Sequence, residues 1–232
     1  MNAPVSASDL QDAAVQSVLR KLAIVWTEFE GDLESTALIR RLNRGQLRLE
    51  DYQAFLINLR QQVVDGACWI SRAASNISED YFDLRSTLIS HAATEHRDYK
   101  LLEDNFAATG GALDAIRTAH KNPGSQALSA WMFQTASQPN PFNMIGAMFI
   151  IEGLGATKAS VWGRAVLDQL KLDKSAATFL LYHGENDADH MEEFESMLRM
   201  LPLDAGLEER IVACARVTGR LYAMQIGDIL DA

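Results

Sequence analysis

Cysteine is scarce in this chain, which has 232 residues and only two cysteines, Cys68 and Cys214. They are far apart in the sequence and form no metal-binding or redox motif, which is typical of a protein from a reducing cytoplasm. The N-terminal stretch MNAPVSASDLQDAA lacks a basic region followed by an apolar run, so it does not resemble a signal peptide. No run of about 20 uncharged apolar residues predicts a membrane-spanning helix. We therefore expect a cytoplasmic protein.

Positive charge is also in deficit. Lys and Arg number 21 against 31 Asp and Glu, and the formal net charge is -10. A surface of this sign repels the phosphates of nucleic acids and of anionic membranes, so neither is an expected partner. The apolar share of 48% is enough for a substantial core. We expect one domain over 1–232, with residues 1–7 as a disordered end.

Proline is nearly absent from the first half, with none between Pro4 and Pro123. A proline inside a helix costs about 3 kcal/mol, so such a region favours helices. Val and Ile do not alternate with polar residues as in a half-buried strand. The chain therefore predicts an all-α bundle of seven or eight helices. The predicted ranges are 8–43 (one or two helices), 49–76, 79–108, 125–136, 141–170, 174–200 and 204–230.

The most informative stretch is LLYHGENDADHMEEF, which contains His183, Asp187 and His190. On a helix, side chains with this spacing point within roughly 60° of each other. Two imidazoles and one carboxylate on one stripe suit iron, manganese or zinc. The neighbouring acids, among them Glu192 and Glu193, fall mainly off this stripe and are expected on the solvated surface.

A second signal is Glu152, the only charged residue in PNPFNMIGAMFIIEGLGAT. A helix that is apolar on both sides of Glu152 is expected to be buried, and an unpaired buried carboxylate costs several kcal/mol. A metal, an arginine or a neutral hydrogen-bonded acid would each resolve this cost. The glycines of this helix would admit a close helix neighbour or leave room for a ligand.

A third segment, SHAATEHRDYKLLEDN, has the same spacing in His91, Glu95 and Asp98. His96 points about 140° away from His91 and is a weaker candidate. An exposed charged face is the alternative for this segment. Helical bundles build dinuclear metal sites from carboxylates and histidines that project inward from several helices. We therefore expect the three segments to meet, beside a water-poor substrate pocket. The residues expected to line that pocket are Met144, Met148, Phe149 and Ile151.

This order of motifs resembles the haem-oxygenase-like diiron oxidases and oxygenases, over about residues 80 to 200. The IEGLGA stretch with Glu152 and the cluster of His183, Asp187 and His190 resemble the family's upstream glutamate and its His/Asp/His cluster, and these two matches are fairly specific. In the earlier helix the family usually places a glutamate before a histidine. Here His91 precedes Asp98, with Glu95 between them, so this part of the pattern departs from the family.

The resemblance implies a haem-oxygenase-like bundle that binds two Fe²⁺ per chain, one of them weakly. It implies activation of dioxygen and oxidation of a small amine, amino acid or fatty acid, with an electron donor and a homodimer as further expectations. Haem oxygenase itself is disfavoured because no histidine precedes His91. A thiaminase II-like enzyme would need a cysteine within PFNMIGAMF, which has none. A metal-free binding or regulatory protein of the same fold is the remaining alternative.

Overall fold

Helices make up the described part of the chain. The computed structural model describes the backbone of residues 7–231 and the side chains of residues 10–184 and 192–230. Within these ranges there is no strand, and the all-α prediction is confirmed. The segment 1–7, expected to be disordered, lies outside the described residues except for Ala7, where the first helix begins.

The helices are more numerous than predicted because two of the long predicted helices are interrupted and one short helix was missed. They are α1 (Ala7–Ser35), α2 (Ala37–Asn43), α3 (Leu49–Ser75), α4 (Phe82–Glu95), α5 (Tyr99–Ala108), α6 (Leu113–Thr118), α7 (Pro123–Ala136), α8 (Met144–Leu154), α9 (Ser160–Leu170), α10 (Thr178–Arg199) and α11 (Ala205–Asp231). Short 3₁₀ turns, Glu79–Tyr81 and Lys174–Ala176, precede α4 and α10. A π-helical turn, Gly155–Ala159, joins α8 to α9.

Local sequence signals account for several helix ends. Asn122 caps α7 by accepting a hydrogen bond from the Ser125 backbone N–H at 2.8 Å, and Pro123 occupies the first helical position. Gly110 follows α5 with a φ of +85°, a left-handed conformation that a glycine adopts without steric cost. These ends lie close to the predicted ones because their signals act within a few residues.

One core connects the helices. α11 packs against α1, α7 and α8, α3 packs against α4, α5 and α7, and α10 packs against α8 and α9. α8 and α11 approach each other closely at Gly146, since a Cβ there would lie 2.1 Å from the Ile211 carbonyl oxygen. The glycine thus admits a close helix neighbour, one of the two roles expected for it. The core draws on all the long helices, so the described chain forms a single domain.

The run from Met144 to Leu170 is the most apolar part of the described chain. By length and composition alone it is long and apolar enough to cross a membrane, although it contains the charged residues Glu152 and Lys158, and 44% of its most apolar window is buried. Ile145 and Ile150 in this run belong to the core. A core helix meets the same criteria, so the apolar run is weak evidence for a membrane. The cytoplasmic location stays a prediction.

Candidate metal centre

Four segments carry the acidic and histidine side chains that meet in the interior. His91 and Glu95 lie in the last two turns of α4, Asp98 directly precedes α5, Glu152 lies near the end of α8, and His183 lies in the second turn of α10. The single helix predicted over 79–108 is wrong, because a turn at 96–98 separates α4 from α5. Asp98 therefore reaches the site from the start of α5 and not from the face of a continuous helix.

Two histidine–carboxylate pairs form the centre of the site. Nε2 of His91 lies 3.2 Å from Oε1 of Glu152. Nε2 of His183 lies 3.2 Å from Oδ2 of Asp98. The three residues His91, Glu152 and His183 are 4%, 7% and 8% exposed, so both pairs are shielded from solvent. The expectation that Glu152 is buried is thus met, and the ion pair described for it is with a histidine and not with an arginine.

Glu95 lies close to both pairs. One ligand atom from each of Glu95, Asp98 and His183 falls within 4.8 Å of the others. Burial, together with the neighbouring charge of Glu152, raises the pKa of Glu95 to about 7. Burial disfavours the charged imidazole of His91, but the hydrogen bond and the charge of Glu152 outweigh it and raise the pKa of His91. The acids therefore repel one another in a site of low polarity, which a bound cation would relieve.

Buried acids elsewhere in the described chain are neutralised differently. Asp51 is 1% exposed and pairs with Arg41 and Arg48, each at 2.8 Å. Burial would raise the pKa of Asp51, but the arginine hydrogen bonds lower it. Glu103 is 5% exposed, and its two arginine partners likewise lower its pKa against the effect of burial. In contrast, burial and the charge of Glu152 raise the pKa of Glu95, and among the described residues no arginine contributes to lowering it.

Two cavities meet at the carboxylates. The first, called here the main cavity, has about 840 Å³ of empty space including its opening, and its walls are mostly apolar. The second cavity has about 610 Å³ on the same basis and reaches His183 and Tyr222. Glu95 and Glu152 line both cavities. A molecule in either cavity would therefore lie against the acidic cluster.

Three of the four residues expected to line a pocket do so, namely Met144, Met148 and Ile151, which all line the main cavity. Phe149 differs from this expectation, since it is not among the residues that line either cavity. Its ring packs against Trp26 and Phe194, with centroids 6.1 Å and 5.4 Å away. Phe149 lies on another face of α8 and stabilises the contact of that helix with α1 and α10.

The remaining sequence candidates fall into two groups. Asp187 and His190 belong to α10, but their side chains lie outside the described residues, so their position relative to the site stays a prediction. His96, the weaker candidate, is exposed in the turn after α4, where Arg97 donates to its ring at 3.4 Å. Exposure at this position agrees with the expectation that His96 points away from His91.

Glu193, expected on the solvated surface, belongs to the site. Its Oε2 lies 3.4 Å from Nδ1 of His91, and its side chain is 31% exposed. The carboxylate of Glu193 therefore lies beside Nδ1 of His91, the ring nitrogen that does not face Glu152. Glu193 comes three residues after His190, a predicted ligand, and positions i and i+3 are neighbours on one helix face. This spacing was the signal in the sequence that could have indicated Glu193.

Comparison with known proteins supports this picture. A family model described as an iron-containing redox enzyme matches residues 58–223. This range includes every described member of the site. No curated protein matches the chain in sequence.

Several solved structures share the fold. A domain with a heme oxygenase-like fold from Shewanella denitrificans superposes with a TM-score of 0.83 at 18% identity, covering 93% of this chain and 91% of that one. A TenA homologue from Pseudomonas syringae pv. tomato gives 0.78 at 15% identity, covering 100% and 98%. Heme oxygenase-2 from Synechocystis, in complex with heme and NO, gives 0.71 at 16% identity, covering 92% and 85%. The predicted heme oxygenase-like fold is confirmed, and identities this low show the fold alone.

Proposed function

Because this chain belongs to the family of iron-containing redox enzymes, we propose that it is a nonhaem diiron oxidase or oxygenase. It would use dioxygen to oxidise a small and partly apolar organic molecule. The observation that carries this proposal is the meeting of two buried histidines and three acids at the end of an apolar cavity.

The donor set fits iron. The residues that would hold two Fe²⁺ are His91, Glu95, Asp98, Glu152 and His183, with Asp187 and His190 as further ligands expected from the sequence. Neutral imidazoles and anionic carboxylates suit first-row metals, and several carboxylates offset the charge of two divalent ions. The raised pKa of Glu95 supports the same conclusion, because the described acids crowd together without enough positive charge to balance them.

Bound ferrous iron would supply the electrons with which dioxygen is activated to oxidise an organic molecule. The protein itself contributes position and environment. Glu193, whose Oε2 lies 3.4 Å from Nδ1 of His91, would favour the tautomer that carries its proton on Nδ1 and directs the lone pair of Nε2 towards the site. The apolar walls of the main cavity exclude water and hold the substrate against the site. A separate electron donor and a homodimer are part of the same proposal.

Nucleophilic chemistry of the thiaminase II kind is less well supported. Such a reaction needs a cysteine thiolate at the substrate. Cys214 is 1% exposed, and burial raises its pKa to about 12. Cys68 is exposed, and neither cysteine lines either of the two cavities. The two cavities therefore offer histidines and carboxylates, and no thiol.

Anaerobic loading with ferrous ion tests the proposal. After removal of excess metal, elemental analysis is expected to find about two irons per chain. His91→Ala and His183→Ala should each lose iron while circular dichroism shows the same helix content. His96→Ala is the matched control, since it removes an exposed histidine five residues from His91. Iron content that is equal in all four proteins would refute the site, as would an absence of iron uptake by the wild type.

Exposure of the loaded protein to dioxygen provides the second measurement. A transient visible absorption band should appear in the wild type and in His96→Ala, and should be missing from His183→Ala. A protein that binds iron at the proposed residues but consumes no dioxygen, with or without an added reductant, would contradict the oxidase proposal.

A further inference from the structure

Three cavities lie in a row along α3. Two of them are the main cavity and the second cavity, and another, called here the third cavity, has about 290 Å³ of empty space on the same basis. Along α3, Tyr52 lines the third cavity, Leu59 lines the second and Trp69 lines the main cavity. At 1.5 Å per residue, these positions span about 25 Å of the helix axis. The third cavity therefore lies at the end of the row opposite to the main cavity.

Neighbouring cavities in this row share wall residues. Phe55, Trp162 and Leu180 line both the third and the second cavity. Glu95 and Glu152 line both the second and the main cavity. Side chains in a protein core still change rotamer, so a boundary made of side chains lets a small molecule pass. The second cavity thus connects the third cavity with the acidic cluster.

The walls of the third cavity are apolar, and every residue that lines it is buried. The hydroxyl of Tyr52 donates to the backbone carbonyl oxygen of Ala176 at 2.7 Å, so this polar group is already satisfied. A buried water needs about two to four polar partners, whereas apolar cavities stay dry and bind small apolar species such as xenon. The third cavity therefore suits a small apolar molecule and does not suit an ion.

Leu47 covers the third cavity from the connection between α2 and α3. It is 9% exposed, whereas its neighbours Gln46 and Arg48 are exposed. The backbone N–H of Leu47 donates to Oε1 of Gln169 in α9 at 3.3 Å. The outer wall of the third cavity is thus a short connection at the protein surface, which gives a small molecule a short path from solvent.

We propose that the third and second cavities form a binding site and an entry route for a small apolar gas. Dioxygen is uncharged and apolar, so its transfer from water into an apolar cavity is favourable. A ligand in the main cavity would leave this route open, because the third cavity lies on the other side of the acidic cluster. Dioxygen as the natural gas rests on the proposed function, whereas the binding of an apolar gas does not.

Xenon is the probe for the site, because it binds dry apolar cavities and its anomalous scattering locates it in a crystal. Crystals of the metal-free protein under xenon pressure should hold xenon in the third cavity, which Val166 lines. Val166→Phe places an aromatic ring in this space and should remove the xenon. Val161→Phe is the matched control, since it makes the same change on the same helix at a residue that is 61% exposed. A third cavity without xenon in the wild type, or equal xenon occupancy in the two variants, would overturn the gas site.

Oxidation of the iron-loaded protein tests the route. The second-order rate constant for oxidation of the ferrous protein by dioxygen should fall roughly 3-fold or more in Val166→Phe, because association rates depend on access. The rate constant should stay at the wild-type value in Val161→Phe, and all three proteins should hold the same amount of iron. Equal rate constants in Val166→Phe and the wild type would overturn the route. If overpacking prevents Val166→Phe from folding, Phe55→Trp narrows the boundary between the third and second cavities and is judged by the same criteria.

The two experiments separate the gas site from the proposed function. A protein that holds xenon in the third cavity but binds no iron would refute the proposed function and support the gas site. A protein that binds iron and reacts with dioxygen, but holds no xenon in the third cavity, would refute the gas site alone.

Discussion

Gly184 of α10 lies against Ser160, with no room for a side chain between them. A Cβ on Gly184 would come within 2.1 Å of the Ser160 Oγ and 2.5 Å of its backbone nitrogen. Ser160 follows the π-helical turn, and such turns are frequent at functional sites. Because His183 directly precedes Gly184, this contact also sets the position of one imidazole of the proposed metal centre.

Gly184→Ala should therefore displace α10. A methyl group forced into a packed interface typically costs about 1–3 kcal/mol, which corresponds to a fall in unfolding temperature of roughly 2–12 °C for a chain of this size. The iron content should fall as well, because His183 moves with the helix. Gly31→Ala is the control, since a Cβ there would meet nothing within 4 Å. It should stabilise α1 by about 0.5–1 kcal/mol, and equal effects of the two substitutions would contradict the close contact.

Glu193 should support metal binding through His91. Loss of a carboxylate that orients a histidine ligand typically weakens metal affinity about 10–100-fold. We expect this loss for Glu193→Ala and a smaller one for Glu193→Gln, whose amide oxygen still accepts a hydrogen bond. Glu192→Ala removes an exposed acid at the adjacent position and should leave the affinity unchanged. Competition with a chelator measures all three, and similar losses at both positions would show that only the net charge matters.

Glu95 should make the stability of the metal-free protein depend on pH. Its pKa is about 7 in the folded protein against 4.5 for an unperturbed glutamate, mainly because it is buried. The folded protein therefore binds an additional proton between these values, and stability is lost as the pH rises through about 7. Glu95→Gln removes this loss.

The unfolding temperature of Glu95→Gln should exceed that of the wild type by a few degrees near pH 8, and the two should converge near pH 4. Glu34→Gln changes an exposed glutamate of α1 and should follow the wild type at both pH values. A difference that is as large near pH 4 as near pH 8 would count against a raised pKa.

Met148→Trp should block the main cavity. Met148 lines this cavity on α8, and the larger indole would occupy part of its space. Binding of an apolar probe such as decan-1-ol should fall at least 10-fold, with a loss of stability of about 1–3 kcal/mol from overpacking. Iron content should stay at the wild-type level because the proposed ligands are unchanged. Met224→Trp, at a residue that is 46% exposed, should leave both measurements unchanged. Undiminished binding in Met148→Trp would place the ligand elsewhere.

The two cysteines should react at very different rates. Cys68 is exposed, whereas burial raises the pKa of Cys214 to about 12. Only thiolates attack disulfide reagents, so near pH 8 the native protein should react quickly at one cysteine per chain. The second cysteine should react only after denaturation, and Cys68→Ala should abolish the fast reaction. Rapid reaction of both thiols would contradict the buried position of Cys214.

Much of the helical organisation could be predicted because its signals are local. The cap and proline at the start of α7 and the glycine after α5 lie within a few residues of the ends they specify. The division of 79–108 into α4 and α5 could not be predicted, because the residues 96–98 include no glycine or proline. Tertiary packing overrides helix propensity at this point, as it does at the π-helical turn.

Composition and periodicity by themselves determined an all-α chain and indicated which segments carry the imidazoles and carboxylates. These properties depend on spacing along one helix, which the order of residues defines. Only the tertiary structure decided that His91 pairs with Glu152 and Asp98 with His183. It also decided that Glu193 reaches His91 and that Phe149 turns away from the cavity. Contacts between residues distant in sequence depend on how helices pack, and spacing along one helix carries no information about its neighbours.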